Sequence, residues 1–134
     1  MEKVRVLIAD DDETVRLFLE RMRKKLGFQE VHFSFAENGQ EALRKVRKAL
    51  QERRPFHAVL TDEQMPRMGG EALCRELWKI GFRGQIFRMS GDPDFAKQPD
   101  GFSVERYQKG GLVETLTPIC LGVCQRAIDH VSLT

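Results

Sequence analysis

Long apolar runs are missing from this chain of 134 residues: no stretch approaches the ~20 consecutive apolar residues that a membrane-spanning helix needs. The charged start, Met1-Glu2-Lys3-Val4-Arg5, leads straight into a strand pattern. No signal peptide is therefore expected, and the cytoplasm is the expected compartment. Cysteine is scarce, with only Cys74, Cys120 and Cys124, and no Cys-x-x-Cys pair occurs. The odd count and the lack of such a pair argue against a disulfide scaffold and against a structural zinc site. Cys120 and Cys124, four apart, are expected to serve as small buried hydrophobes on one helix face. Charge of one sign is not in excess either: the formal net charge is +2, which favours no class of partner. A basic run does exist in Arg44, Lys45, Arg47, Lys48, Arg53 and Arg54, diluted by Glu41 and Glu52. No base-reading motif accompanies it, so it reads as a solvated helix face and no nucleic acid is expected as a partner. Internal repeats and Pro/Gly/Ser linkers are lacking too, which leaves one domain over 1–134.

What is present is an alternation of short apolar runs with amphipathic stretches, the pattern of repeated βα units. Strands are expected at Val4–Ala9, Val31–Ala36, Ala58–Thr61, Gln85–Met89 and Ser103–Gln108. A first helix should run from Thr14 to Leu26 and stop at Gly27, with Val15, Leu17, Phe18, Met22 and Leu26 as its apolar set. A second should begin after Asn38-Gly39 and break before Pro55, carrying Ala42, Leu43, Val46, Ala49 and Leu50. A third should span about Gly70 to Ile80, and the last should start near Thr117-Pro118, a cap followed by a first-turn proline. Between them, Gly91 to Gly101 holds two prolines and little apolar periodicity, so the fourth helix should be short or irregular.

Reactive groups gather where the apolar runs stop. Asp10, Asp11 and Asp12 follow Val4–Ala9, Asp62 follows Ala58–Thr61, Ser90 follows Ile86–Met89, and Lys109 closes Val104–Gln108. In one parallel sheet all of them would emerge at the carboxyl edge, where open α/β sheets place their binding crevice. Carboxylates, a hydroxyl and an amine in one crevice suit phosphoryl transfer, which asks for positioning and charge neutralisation. Packed carboxylates repel one another, and a magnesium ion with its preference for oxygen ligands would relieve that repulsion. Asp12 by itself is better read as the start of a helix, where a carboxylate meets the positive dipole end.

The segments Val6–Glu13, Ala36–Leu43, Val59–Gly70 with its Asp-x-x-Met-Pro-x-Met-x-Gly core, Met89-Ser90-Gly91 and the later Lys109 resemble the receiver domain of bacterial two-component response regulators. The resemblance covers nearly the whole chain in order. It implies a doubly wound (βα)5 flavodoxin-like fold with a parallel sheet of order 2-1-3-4-5. It also implies that Asp62 accepts phosphoryl from a histidine kinase or histidine phosphotransfer protein. Asp10 and Asp11 would form the acidic pair, with Asp11 the direct magnesium ligand, joined by Asp62 and the backbone carbonyl of Gln64. Ser90 resembles the switch hydroxyl and Lys109 the phosphate-sensing lysine, and a downstream effector protein would read the result. Such a domain is no enzyme beyond its own phosphorylation and dephosphorylation.

Two positions depart from the family pattern. Arg106 stands three residues before the lysine, where the switch aromatic normally lies, while Tyr107 faces the opposite way on a strand. Lys109 is followed by Gly110-Gly111 instead of proline. Two other readings compete. A phosphorylation-independent pseudo-receiver would bind partners by contact alone. Asp10-Asp11-Asp12-Glu13-Thr14 also resembles the first motif of haloacid-dehalogenase-like phosphatases, with Asp10 as nucleophile and Asp12 as acid/base. For a docking partner at the crevice rim, Val15 is the expected contact on the first helix, with Phe18 toward the core.

Overall fold

The computed structural model describes residues 4–25, 27, 31–90, 105–108, 122, 125–126 and 128–129. Alternation at a period of two decides the sheet. In β1 (Val4–Ala9), Val4, Val6 and Ile8 enter one core cluster while Leu7 and Ala9 enter the other. A strand buried on both faces reads as a continuous apolar run, which is why β1 shows almost no polar residue. It pairs in parallel with β2 (Val31–Ala36) from Val4↔Val31 to Ala9↔Ala36, and on its other edge with β3 (Ala58–Asp62). β4 (Gln85–Ser90) pairs with β3, and β5 (Glu105–Gln108) with β4. The sheet order is β2-β1-β3-β4-β5, as the resemblance implies. Both β3 and β4 run one residue beyond expectation, because the ladders continue through Asp62↔Met89 and Ser90↔Gln108.

Helices cover both faces. α1 (Glu13–Lys25) lays Val15 and Leu19 on the cluster containing Val6, Ile8, Leu60, Phe87 and Met89. Ile128, helical like its neighbour Asp129, packs on the same cluster. α2 (Gly39–Gln51) and α3 (Gly70–Lys79) cover the opposite face, burying Ala42, Val46, Ala49, Leu73 and Leu77. Each fully buried Leu or Ile contributes about 1.5–3 kcal/mol of transfer free energy. Two details of α1 differ from expectation. Leu19 is core, and Val15 is fully buried, so Val15 supports the fold and offers nothing to a partner. Leu17 instead stands 60% exposed, because residues two apart on a helix face different ways. The basic face of α2 is exposed at Arg44, Arg47 and Lys48, as a solvated helix face should be.

The expected irregular segment 91–101, Lys109 with its two glycines, Cys120, Cys124 and the start of the last helix at Thr117-Pro118 lie outside the described residues. So do the side chains of Arg106 and Tyr107, whose backbone forms part of β5. No helix among the described residues is long and apolar enough to cross a membrane.

Candidate functional site

β1 lies between β2 and β3, and the chain leaves it over one face through α1 and returns over the other through α2. The crevice at such a switch point lies beyond the carboxyl ends of the strands. Asp10 is the first residue past β1, held by its N–H donating to the Ala36 carbonyl at 3.0 Å. Asp62 ends β3. Asp10 extends the Val6–Ile8 row and Asp62 the Ala58–Leu60 row, so strand alternation aims both toward the α1 side. The carboxylates of Asp10, Asp11 and Asp62 come within 4.8 Å of one another. Asp10 is fully buried and Asp62 8% exposed, whereas Asp11 is exposed.

Three carboxylates at this spacing form a hard-oxygen donor set, which fits a divalent cation such as magnesium. The exposure of Asp11 leaves room for water on one side, in keeping with an ion that dehydrates reluctantly. Asp11 opens into a cleft of about 700 Å³ bordered by Asn38, the cap of α2, by Glu41 and Arg44 of α2, and by Pro66 and Arg67 from the β3–α3 loop.

Asp12 is occupied otherwise. Its Oδ1 accepts the Thr14 N–H at 2.9 Å, and its carbonyl accepts from Val15 and Arg16, so it caps α1. Its own N–H donates to Asp10 Oδ1 at 2.9 Å, which helps fix the buried carboxylate. Asp12 thus serves the helix start, as its position after the strand led one to expect.

Ser90 ends β4 and is buried, one residue beyond Met89, the ladder partner of Asp62. The chain past Asp62 is fixed by backbone bonds: the Glu63 N–H donates to the Met89 carbonyl at 2.8 Å, and Gly70 N–H to the Glu63 carbonyl at 2.9 Å. Gln64, exposed, lies in the turn they frame. On the α2 side, Asn38 caps the helix by accepting the Glu41 N–H at 2.9 Å. The Glu37 N–H donates back to the Glu41 carboxylate, which also pairs with Lys45. Burial pushes the Glu41 carboxyl up, but the Glu37 N–H and the Lys45 ammonium outweigh it and hold the group below its ordinary value.

Sequence reasoning passed over one pair. Arg88, in the middle of β4, is among the most buried side chains of the protein, and its Nε and Nη2 donate to the two Glu63 carboxylate oxygens at 2.8 and 2.6 Å. The sequence signal is an arginine inside an apolar run; its partner, directly after Asp62, emerges only from the β3–β4 register.

Comparison with known proteins agrees with this geometry. A family model described as "Response regulator receiver domain" matches residues 6–103. The chain is 36% identical over 96 residues to the response regulator receiver protein CpdR of Brucella abortus (strain 2308), covering 72% of this chain and 73% of that one. Against the response regulator MprA of Mycolicibacterium vanbaalenii it spans only 30% of the relative's length. Among solved structures, the receiver domain of the histidine kinase CKI1 from Arabidopsis thaliana superposes with a TM-score of 0.71 at 26% identity, over 96% of this chain and 91% of that one. The response regulator TrrA of Thermotoga maritima, solved in complex with Mg(2+)-BeF, superposes with a TM-score of 0.63 at 19% identity, over 92% and 99%. The chain belongs to the response regulator receiver domain family, the signalling domains of two-component systems.

Proposed function

We propose that Asp62 is the phosphoacceptor of this receiver domain, and that it takes its phosphoryl group from a phosphohistidine of a histidine kinase or phosphotransfer protein. The observation that carries the reading is the convergence of Asp10, Asp11 and Asp62 within 4.8 Å at the carboxyl edge of the sheet. Asp10, Asp11, Asp62 and the Gln64 carbonyl would hold a magnesium ion, whose charge offsets that of the phosphoryl oxygens. An Asp62 carboxylate oxygen attacks phosphorus in line, the P–N bond to the donor imidazole breaks, and an acyl phosphate remains. The Ser90 hydroxyl donates to one phosphoryl oxygen, and the Lys109 ammonium neutralises another. The chain does no chemistry on other molecules beyond gaining and losing this group. It acts in the cytoplasm as one domain over 1–134 and passes its state to an effector protein.

Incubation with magnesium and acetyl phosphate, followed by mapping of hydroxylamine-labile label, tests the reading. Label on Asp62, lost in Asp62→Asn, is the expected result. A variant that labels like the wild type would refute it, and an unlabelled wild type would favour a receiver that works by contact alone.

A further inference from the structure

We infer that the Glu63–Arg88 ion pair positions both halves of the phosphoryl-transfer centre, a reading that rests on the site proposed above. Arg88 lies in β4, and Glu63 is the first residue past the end of the adjacent β3. Thr61 is the ladder partner of Arg88, so Glu63, two residues further along, lies on the same side of the sheet as Arg88. That side is the α2–α3 face, since Ile86 on the same row joins its cluster. Asp62 and Met89 alternate to the other. The carboxylate–guanidinium contact therefore lies on the face of the sheet opposite the row that carries Asp62.

Each partner is one or two residues from a functional group. Glu63 separates Asp62 from Gln64, and Arg88 is two residues before Ser90. The two parallel contacts fix the guanidinium plane against the carboxylate. A fork held at two points sets the distance between the chain leaving β3 and the end of β4, in a way that one backbone bond cannot. Gly70, the first residue of α3, closes over the pair: a Cβ built there would stand 2.7 Å from Glu63 Oε2. With the Arg88 side chain only 2% and the Glu63 side chain 19% exposed, solvent has little access to loosen the bridge. Supports of this kind behind a metal centre orient its ligands, and their loss typically costs 10–100-fold in affinity.

A through-space effect of charge gives the opposite sign, and this makes the proposal testable. Arg88→Met removes a positive charge near the site and leaves the Glu63 carboxylate, so electrostatics alone would tighten magnesium binding. Positioning requires it to weaken, by about tenfold. Glu63→Leu/Arg88→Met removes both charges and keeps the volume apolar, a replacement that commonly preserves stability. Magnesium affinity of the full chain, measured by calorimetry, is the readout, with thermal melting beside it.

Weaker binding in Arg88→Met, and in the double variant at a wild-type melting temperature, is the expected result. Unchanged or tighter binding in Arg88→Met overturns the proposal. If that variant does not fold, unchanged affinity in the double variant overturns it instead. A wild type that binds magnesium but takes no label from acetyl phosphate overturns the phosphoacceptor reading and leaves the affinity comparison to decide this one. A wild type that does not bind magnesium overturns both.

Discussion

A Cβ placed on Gly70 would lie 2.7 Å from the carbonyl oxygen of Asp62, closer than van der Waals contact allows. The start of α3 thus rests directly on the backbone that carries the Asp62 carboxylate. Gly70→Ala must lift the helix or displace the 62–63 backbone. The expected cost is about 1–3 kcal/mol, as for overpacking of a filled core. Urea denaturation measures it, and the labelling of Asp62 should slow together with the loss of stability. A variant as stable as the wild type would show that α3 can shift without effort.

Arg67 has a φ of +67°, in the left-handed region where a side chain is strained. It lies in the exposed β3–α3 turn, between Pro66 and Met68, whose carbonyl accepts the Gly39 N–H at 3.0 Å. Arg67→Gly should raise stability by about 1 kcal/mol, the strain relieved less the extra entropy of an unfolded glycine. A higher melting temperature with unchanged magnesium affinity is the expected outcome.

Much of this architecture was legible in the chain, and the reasons are local. β1 and β2 match expectation residue for residue, since apolar runs bounded by charged or turn residues leave little latitude. α2 is bounded just as clearly by the Asn38 cap and the break before Pro55. The acidic trio was legible because strand ends carry it to one edge. The orientation of α1 was less so: Val15, Leu17, Phe18 and Leu19 are consecutive or nearly so, and only packing decides which of them face inward. Arg88 was opaque for a different reason. A charge in an apolar run violates the pattern, and its partner lies 25 residues earlier, visible only once the β3–β4 register is known.

Asn38 and Glu41 hold the entry to α2 reciprocally. Asn38→Ala should cost about 1 kcal/mol, the usual worth of an N-cap. Glu41 adds a pH dependence of known sign. Its carboxyl is held below the ordinary 4.5 in the folded chain, so its contribution is full above that value and is lost as pH falls through the lower folded one. The group is about a third exposed, so the effect should be a fraction of a kcal/mol. Glu41→Gln should flatten the stability profile below pH 4.5 and leave it parallel to the wild type above. An unchanged slope on the acid side would show that the Glu37 N–H and Lys45 contacts together do not favour the ionised carboxylate.

Partner docking is the function that Val15 was expected to serve and cannot, being fully buried. Leu17 takes its place on physical grounds. It is 60% exposed, it lies on α1 one turn beyond the cap that Asp12 provides, and no large apolar group of α1 is more open to solvent. A phosphohistidine reaching Asp62 must bring its own protein over this rim, and an exposed leucine there can be covered favourably. Leu17→Glu should slow transfer from a histidine kinase or phosphotransfer protein by about tenfold, if burying that side chain contributes on the order of 1.5 kcal/mol to the complex. Labelling by acetyl phosphate should be unaffected, because a small donor needs no docking surface. Equal loss of both reactions would place the defect in the fold, and full retention of partner transfer would move the docking surface away from α1.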